Sequence, residues 1–448
     1  MALNVFRQIR TFESLAIRDY RLLWLGQVST SMGQWMDQVT RGALMYQLTG
    51  SALQLGAAAA VRGLPLMLFS IAAGALADRS GRKAQLIIAQ ITNAALNIIL
   101  ATLVITGHVE AWHIYVTGFL AGTVQAFQQP ARQTLIGDLV GDHRLMNALA
   151  LNSAALNGSR TIGPAAAGLL VPLVGFAGSY YVQGVMYIVA TVWTIQMRVP
   201  VPTAADMARP REAFVRAIGT GFSYVGRQPD IRAMMILGLG PLTFGMAYAS
   251  LMPVLAERLG GGTGLQGALL SLVGLGSLVG ALAVASMQRQ YGRGLPVVLG
   301  AVAFSVLVFL FATSPWVWAS MILAAGVGAS NVAYNTQNQT LLQVMTPRHL
   351  RGRVMSIRML ERGIVPLCSL LAGALAEWWG GPAALRAMAM LGLGLVGLAV
   401  LTTPRILRLK VSFEHLDEPI DDPAAAEGEV ARPLPDAPQA HAGSARHG

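Results

Sequence analysis

Twelve stretches of mostly apolar residues follow one another along the chain, at 22–46, 53–77, 84–106, 112–135, 148–172, 176–197, 232–256, 265–287, 295–313, 317–340, 357–377 and 384–403. About 20 such residues in a helix span the hydrocarbon core of a bilayer. In lipid every backbone N–H and C=O must be paired internally, so runs of this length are helices. The expected fold class is therefore an all-α polytopic membrane protein with twelve transmembrane helices. Composition agrees: 54% of the 448 residues are hydrophobic and 12% are charged, about half the charged share of a soluble domain.

The net charge of +11 does not point to nucleic acid, because the cations lie between apolar runs rather than on one soluble face. Most of the 32 Arg and Lys residues fall in alternate connections or in the flanking tails, whereas the opposite connections hold only Arg258 and Arg386. The positive-inside rule then puts both termini in the cytoplasm. Trp112, Trp316, Trp318, Trp378 and Trp379 fall at the predicted outer ends, where an interfacial aromatic belt belongs. Residues 1–21 lack a continuous apolar core and a small-residue cleavage site, so they read as a cytoplasmic segment and not as a cleaved signal. A lone Cys368 in an apolar run excludes internal disulfides.

An offset of 206 residues superimposes parts of the two halves: GALA at 74–77 on GALA at 280–283, QTL at 133–135 on QTL at 339–341, His143 on His349 and Gly122 on Gly328. The chain thus divides into a six-helix bundle at 22–197, a cytoplasmic linker at 198–231 and a second six-helix bundle at 232–403. Residues 404–448, rich in Pro, Ala and acid, read as a disordered cytoplasmic tail.

Polar residues inside apolar runs are functional candidates by default, since charge in hydrocarbon is costly. Span one carries Gln27, Ser31, Gln34, Asp37, Gln38 and Arg41 at helical spacing, a stripe that should face a water-filled cavity. Asp37 and Arg41 stand at i, i+4, and Arg62 of span two is another possible partner. Asp37 is then either a structural ion pair or a proton- or substrate-coupling group. Gln125, Asn157, Arg160, Asn331 and Asn335 complete a candidate pathway. Glu361 and Arg362, with Arg358, form either a headgroup-level ion cluster or part of that pathway. Span four holds no charge before Arg132 at its inner end. Neither H-E-x-x-H, G-x-S-x-G nor a nucleotide-binding glycine loop occurs, so no enzyme activity, cofactor or metal is expected.

The connection between spans two and three reads GALADRSGRK. Gly74, Leu76, Ala77, Asp78, Arg79, Gly81, Arg82, Lys83 and Leu86 resemble the major facilitator signature G-x-L-A-D-R-x-G-R-K-x-x-L in its proper topological slot. The resemblance implies two pseudo-symmetric six-helix bundles with the substrate site between them. It also implies a conformational gate at this turn, with Asp78 facing a helix N-terminus and the cations at the headgroups. Gly163, Pro164 and Gly168 resemble the G-P-x-x-G-G element of antiporters in that family, with Ala167 in place of a glycine. An arginine in an R-x-x-Q-G setting, carried in span four by many drug–proton antiporters of the family, is missing.

The segments YRLLWLGQVSTSMGQWM (20–36), YQLTGSALQLG (46–56), QPARQTLIGDLV (129–140) and ALNSAALNGSRTIGPAAAGLL (150–170) are similar to the branch containing the enterobactin exporters and other transmembrane secretion transporters. The resemblance implies a monomeric, proton-coupled exporter of a small amphipathic molecule, siderophore-like or drug-like, in a bacterial inner membrane. The alternative is a lipid or lysophospholipid translocator of the same fold, and less so a membrane-embedded enzyme.

Overall fold

The computed structural model describes residues 10–79, 81–199, 223–286 and 291–412. Among the described residues, helical segments occupy the expected positions, the seventh of them in separate pieces. In our labels α1 is Arg18–Thr49, α2 Ala52–Arg79, α3 Arg82–Ile105 and α4 Ala111–Val140. The long run Asp142–Gln196 is broken at Gly175 into α5 (142–174) and α6 (176–196). Gly175 has φ 73 and ψ 177, a backbone region closed to side-chain-bearing residues, so the chain reverses there without a loop. The later helices are α8 Thr263–Ser286, α9 Gly294–Thr313, α10 Val317–Met345, α11 Arg348–Trp379 and α12 Gly381–Thr402.

Between α6 and α8, α7 is built in pieces. Helix Pro229–Gly240 passes into a π turn, Pro241–Gly245, then a 3-10 turn, Met246–Ala249, and ends in helix Met252–Arg258. Pro241 removes a backbone donor and cannot continue the ladder. Gly240 and Gly245 admit close neighbours: a methyl on Gly240 would lie 3.0 Å from the Gly392 carbonyl.

Seven of the described helical runs are both long and apolar enough to cross a membrane, the broken run through Gly175 among them; Gly363–Trp379 of α11 is a shorter apolar helix. α1 and α4 have the length but not the apolar character, because they carry the polar stripes. Side chains such as Ile88, Ile162, Leu169, Leu173 and Leu401 are exposed on the outer faces of the helices, as lipid-facing residues must be.

The helices alternate in direction, and two sets of contacts mark the two ends. At the end shared by both termini, Lys83 donates to the carbonyls of Ile195 (2.8 Å) and Met197 (2.7 Å), and the Arg198 N–H donates to Asp19. At the opposite end, here the distal end, Tyr115 meets Gln54 and Arg258 donates to the Ala312 carbonyl. The five tryptophans expected in a belt all lie at the distal end and are more than half exposed.

Two sequence expectations change. The segment expected to be a disordered tail is ordered through Ser412: Pro404–Arg408 is a 3-10 turn, and β2 (Lys410–Ser412) pairs antiparallel with β1 (Tyr291–Arg293). The backbone of this short stretch pairs with the connection between α8 and α9, which composition alone does not disclose. The linker is also shorter than expected, since residues 223–227 and Pro229–Gly240 are already helical; residues 200–222 lie outside the described residues.

The two halves bury their cores differently. In the second, a large apolar cluster runs through Met234, Leu269, Phe304, Tyr334 and Leu385 and takes in Met36, Val39 and Ala167 of the first half, while a smaller one around Leu251, Cys368, Ala372 and Met388 lies apart from it. In the first, a terminus-proximal cluster around Tyr20, Leu86 and Ile136 is separate from a distal one around Leu44, Leu100 and Ile114. Between these two clusters lies the polar level that holds the site.

Candidate functional site

Asp37 and Arg41 lie on one face of α1, both over nine-tenths buried. The Arg41 Nε donates to both Asp37 carboxylate oxygens at 3.1 Å, and its Nη2 lies 3.1 Å from Oδ1. The Arg41 Nη1 donates to the Ile114 carbonyl (3.1 Å) and the Thr117 hydroxyl (2.8 Å) of α4. Arg62, from α2, pairs through Nη1 with the other side of the carboxylate, at Asp37 Oδ2. Two glycines of α4 make this possible. A methyl on Gly118 would lie 3.7 Å from Arg41 Nη1, and one on Gly122 would collide with the Arg62 carbonyl. Two guanidiniums therefore share one carboxylate, and the triad carries a net positive charge.

The triad borders a cavity of about 330 Å³. From the first half it is lined by Gln34, Trp35, Gln38, Arg41, Arg62 and Gln125, among others, and from the second by Ala249, Ser250, Pro253 and Gln266. Amides and guanidiniums dominate its polar lining, and no carboxylate among the described residues lines it. Gln266 donates to the Val39 carbonyl (3.4 Å) across the two halves.

Toward the distal end the halves are in close contact. On α2 and α11, a methyl on Gly56 would lie 3.0 Å from the Gly373 Cα and would collide with the Ser369 carbonyl. On α5 and α8, a methyl on Gly168 would lie 3.0 Å from the Gly267 Cα. Small residues at these positions let backbones pack directly, the geometry that favours helix association in lipid. At the rim, Glu377 of α11 accepts from the Ser51 hydroxyl (2.9 Å) and from the Leu53 N–H (3.1 Å) at the start of α2.

Other predicted positions lie elsewhere. Arg160 of α5 stacks over the Trp35 ring at 5.6 Å and interacts with the Tyr248 hydroxyl of α7. Asn157 is exposed and donates back to the Ser153 carbonyl of its own helix, away from the cavity lining. Asn331 reaches Met246 Sδ at 3.8 Å, and Asn335 accepts from Arg358 at 2.5 Å, so both brace the second half. The side chains of Glu361 and Arg362 lie outside the described residues, as do the surroundings of Gly74, Asp78 and Arg79, although α2 is helical to Arg79. Gly81 caps the start of α3. Arg82 and Lys83 are not free at the headgroups as expected: Arg82 pairs with Asp138 of α4, and Lys83 ties down the carbonyls ending α6. A cation there complements the helix dipole. Within the antiporter-like element, Gly163 packs on α1, where a methyl would lie 2.6 Å from the Trp35 Cβ, while Pro164 and Gly168 pack on Gly267.

Trp35, Ser250 and Gln266 are the cavity residues sequence reasoning missed. Gln266 had a usable signal, being the one amide in an otherwise apolar span. Arg132 also differs from its expected place at the end of span four. It is buried, with Nη2 near the Thr30 hydroxyl (3.3 Å), and pairs with no carboxylate among the described residues.

Comparison with known proteins agrees with this architecture. The family model described as "Transmembrane secretion effector" matches residues 9–424. The "Staphyloferrin A transporter" of Staphylococcus aureus (strain NCTC 8325 / PS 47) is 24% identical over 86% of this chain and 95% of its own length. The "Multidrug efflux pump Tap" of Mycolicibacterium fortuitum is 27% identical over 87% and 97%. The "Enterobactin exporter EntS" of Escherichia coli O1:K1 / APEC is 25% identical over 75% and 79%. Among solved structures, a bacterial homolog of the human lysosomal transporter Spinster, in an inward-facing and occupied conformation, superimposes with a TM-score of 0.69 at 13% identity, over 88% of this chain and 98% of that one. The nucleoside transporter NupG does so with a TM-score of 0.68 at 14% identity, over 86% and 98%. With a family model spanning nearly the whole chain and a shared fold, the chain belongs to the transmembrane secretion effector family of major facilitator transporters.

Proposed function

We propose that this protein is a proton-coupled, secondary-active exporter of small amphipathic molecules, working by alternating access as a monomer in a bacterial inner membrane with both termini cytoplasmic. The observation that carries the reading is the central cavity, closed at the distal end by glycine seams and bordered by a single carboxylate held between two arginines. Relatives described as an enterobactin exporter and as a multidrug efflux pump support export as the direction. Asp37 is the candidate proton carrier, and it can take a proton only when an arginine moves away, which ties protonation to conformation. The GALADRSGRK turn is the candidate gate at the terminus-proximal side.

The test is efflux from proteoliposomes, with and without an imposed pH gradient, using a panel of siderophores, dyes and antibiotics. The reading expects at least one compound to move with the gradient and to stop in Asp37→Asn. No compound moving under any gradient would end it.

One observation favours a second reading, lipid translocation. An open apolar groove lies beside the π turn of α7, its walls formed by Phe244, Leu371, Leu375, Trp379, Met390 and Leu395 among others, several of them exposed. It shares no lining residue with the central cavity. Scrambling of a fluorescent lysophospholipid, blocked by Leu375→Trp, would select this reading.

A further inference from the structure

We propose that the central cavity selects organic anions, with Arg62 as the group that grips the cargo carboxylate; this rests on the reading of the cavity as a transport site. The charges around the cavity are unbalanced. Arg41 and Arg62 line it, and the Arg160 guanidinium lies over the ring of Trp35, which also lines it. The one carboxylate nearby, Asp37, has both oxygens engaged by guanidinium nitrogens.

The two arginines are not equivalent. Arg41 places Nε, Nη1 and Nη2 on protein acceptors, and its side chain is 7% exposed. Arg62 commits only Nη1, to Asp37, and its side chain is 22% exposed on the cavity wall. Its Nε and Nη2 find no acceptor among the described residues. A guanidinium with two free donors in a shielded pocket is a carboxylate receptor, because its planar fork matches the two oxygens and the low dielectric strengthens the pair. An unbalanced cation in such a place is costly until an anion arrives. A cationic cargo would meet repulsion from three arginines and find no free carboxylate to offset it. Gln34, Gln38 and Gln125 supply neutral donors and acceptors around the anion, and the Trp35 ring supplies a flat apolar wall for the rest of an amphipathic cargo.

This assignment predicts competition inside the triad. Cargo carboxylate and Asp37 draw on the same guanidinium, so removing the Asp37 charge should free Arg62 and tighten anion binding. A merely structural role for Arg62 would produce no such gain.

The probes are dansylglycine, its neutral amide and the cationic dansylcadaverine. Binding is measured by fluorescence on purified full-length protein, and transport separately in proteoliposomes. Dansylglycine should bind about tenfold or more tighter than the cation, a difference typical of an added charge-assisted pair. Arg62→Gln should abolish that preference, Arg62→Lys should retain part of it, and Asp37→Asn should strengthen dansylglycine binding. Preference for the cation, no binding of the anion, or weaker anion binding in Asp37→Asn would each overturn the proposal. Selective anion binding with no transport of any compound would uphold this site and defeat the transport reading instead. Transport of cations alone would do the reverse.

Discussion

The two halves share a helical plan but use their equivalent helices in opposite ways. α1 is an unbroken helix with Asp37 and Arg41 in its middle, and Arg62 of α2 completes the triad. At the 206-residue offset those positions become Thr243, Ala247 and Ala268, so the second half has no triad. In its place α7 has the π turn and the 3-10 turn after Pro241. The apolar cores differ as well: the second half has one large cluster beside a smaller one, whereas in the first half two clusters are parted by the polar level of the triad. The lesson is a separation of tasks. The first half supplies fixed charge on a straight, well-braced helix. The second supplies an irregular helix whose broken hydrogen-bond ladder can change shape at low cost, opposite that charge.

Substitutions can break this comparison. The largest expected effect is Arg41→Met, which strips the best-satisfied cation from the triad. Breaking a buried pair in this way costs about 3–5 kcal/mol, although Arg62 remains to hold Asp37, so the lower end is expected. Thermal unfolding in detergent should show the loss.

Next is Gly56→Val on the α2–α11 seam, where the added side chain meets the Ser369 carbonyl and the Gly373 backbone. Overpacking of this kind costs about 1–3 kcal/mol. If the distal end opens as proposed, the penalty should appear as greater accessibility of cysteines introduced at the distal end to a membrane-impermeant reagent. Unchanged accessibility would show that the seam does not hold the closure.

A smaller effect is expected from Pro241→Ala. Restoring the backbone donor lets α7 approach a regular helix, while the loss of proline's rigidity costs up to about 1 kcal/mol, so stability should change little while transport slows. If transport is unaffected, the break in α7 has no part in the conformational cycle.

Much of this was legible in the sequence, and the limits have physical reasons. Helix positions follow from apolar run length, and the Asp37–Arg41 pair follows from i, i+4 spacing. The Arg62 partnership was visible only as a possibility, because it depends on α4 glycines that let α2 approach α1. Arg132 looked terminal because a stretch of chain does not reveal how far neighbouring helices extend over it. Gly163-Pro164 and Gly240-Pro241 carry the same local signal. Yet α5 stays helical through Pro164 while α7 is remodelled after Pro241. The difference lies in what packs on each: α5 is pressed along α1 and α8, whereas α7 meets the Gly392 backbone of α12 at Gly240 and the Phe304 ring of α9 at Gly245. Tertiary packing decides the outcome, and short sequence windows do not contain it.

The central claim is that the distal end closes and opens around the Asp37 triad. The chain has a single cysteine, the buried Cys368, so a Cys368→Ser background allows spin labels at Leu48 and Trp378, both exposed at the distal end of opposite halves. The distance between them should fall into two populations, short and long, and Asp37→Asn or a change of pH should move weight between them. One unchanging distance in every condition would contradict the account.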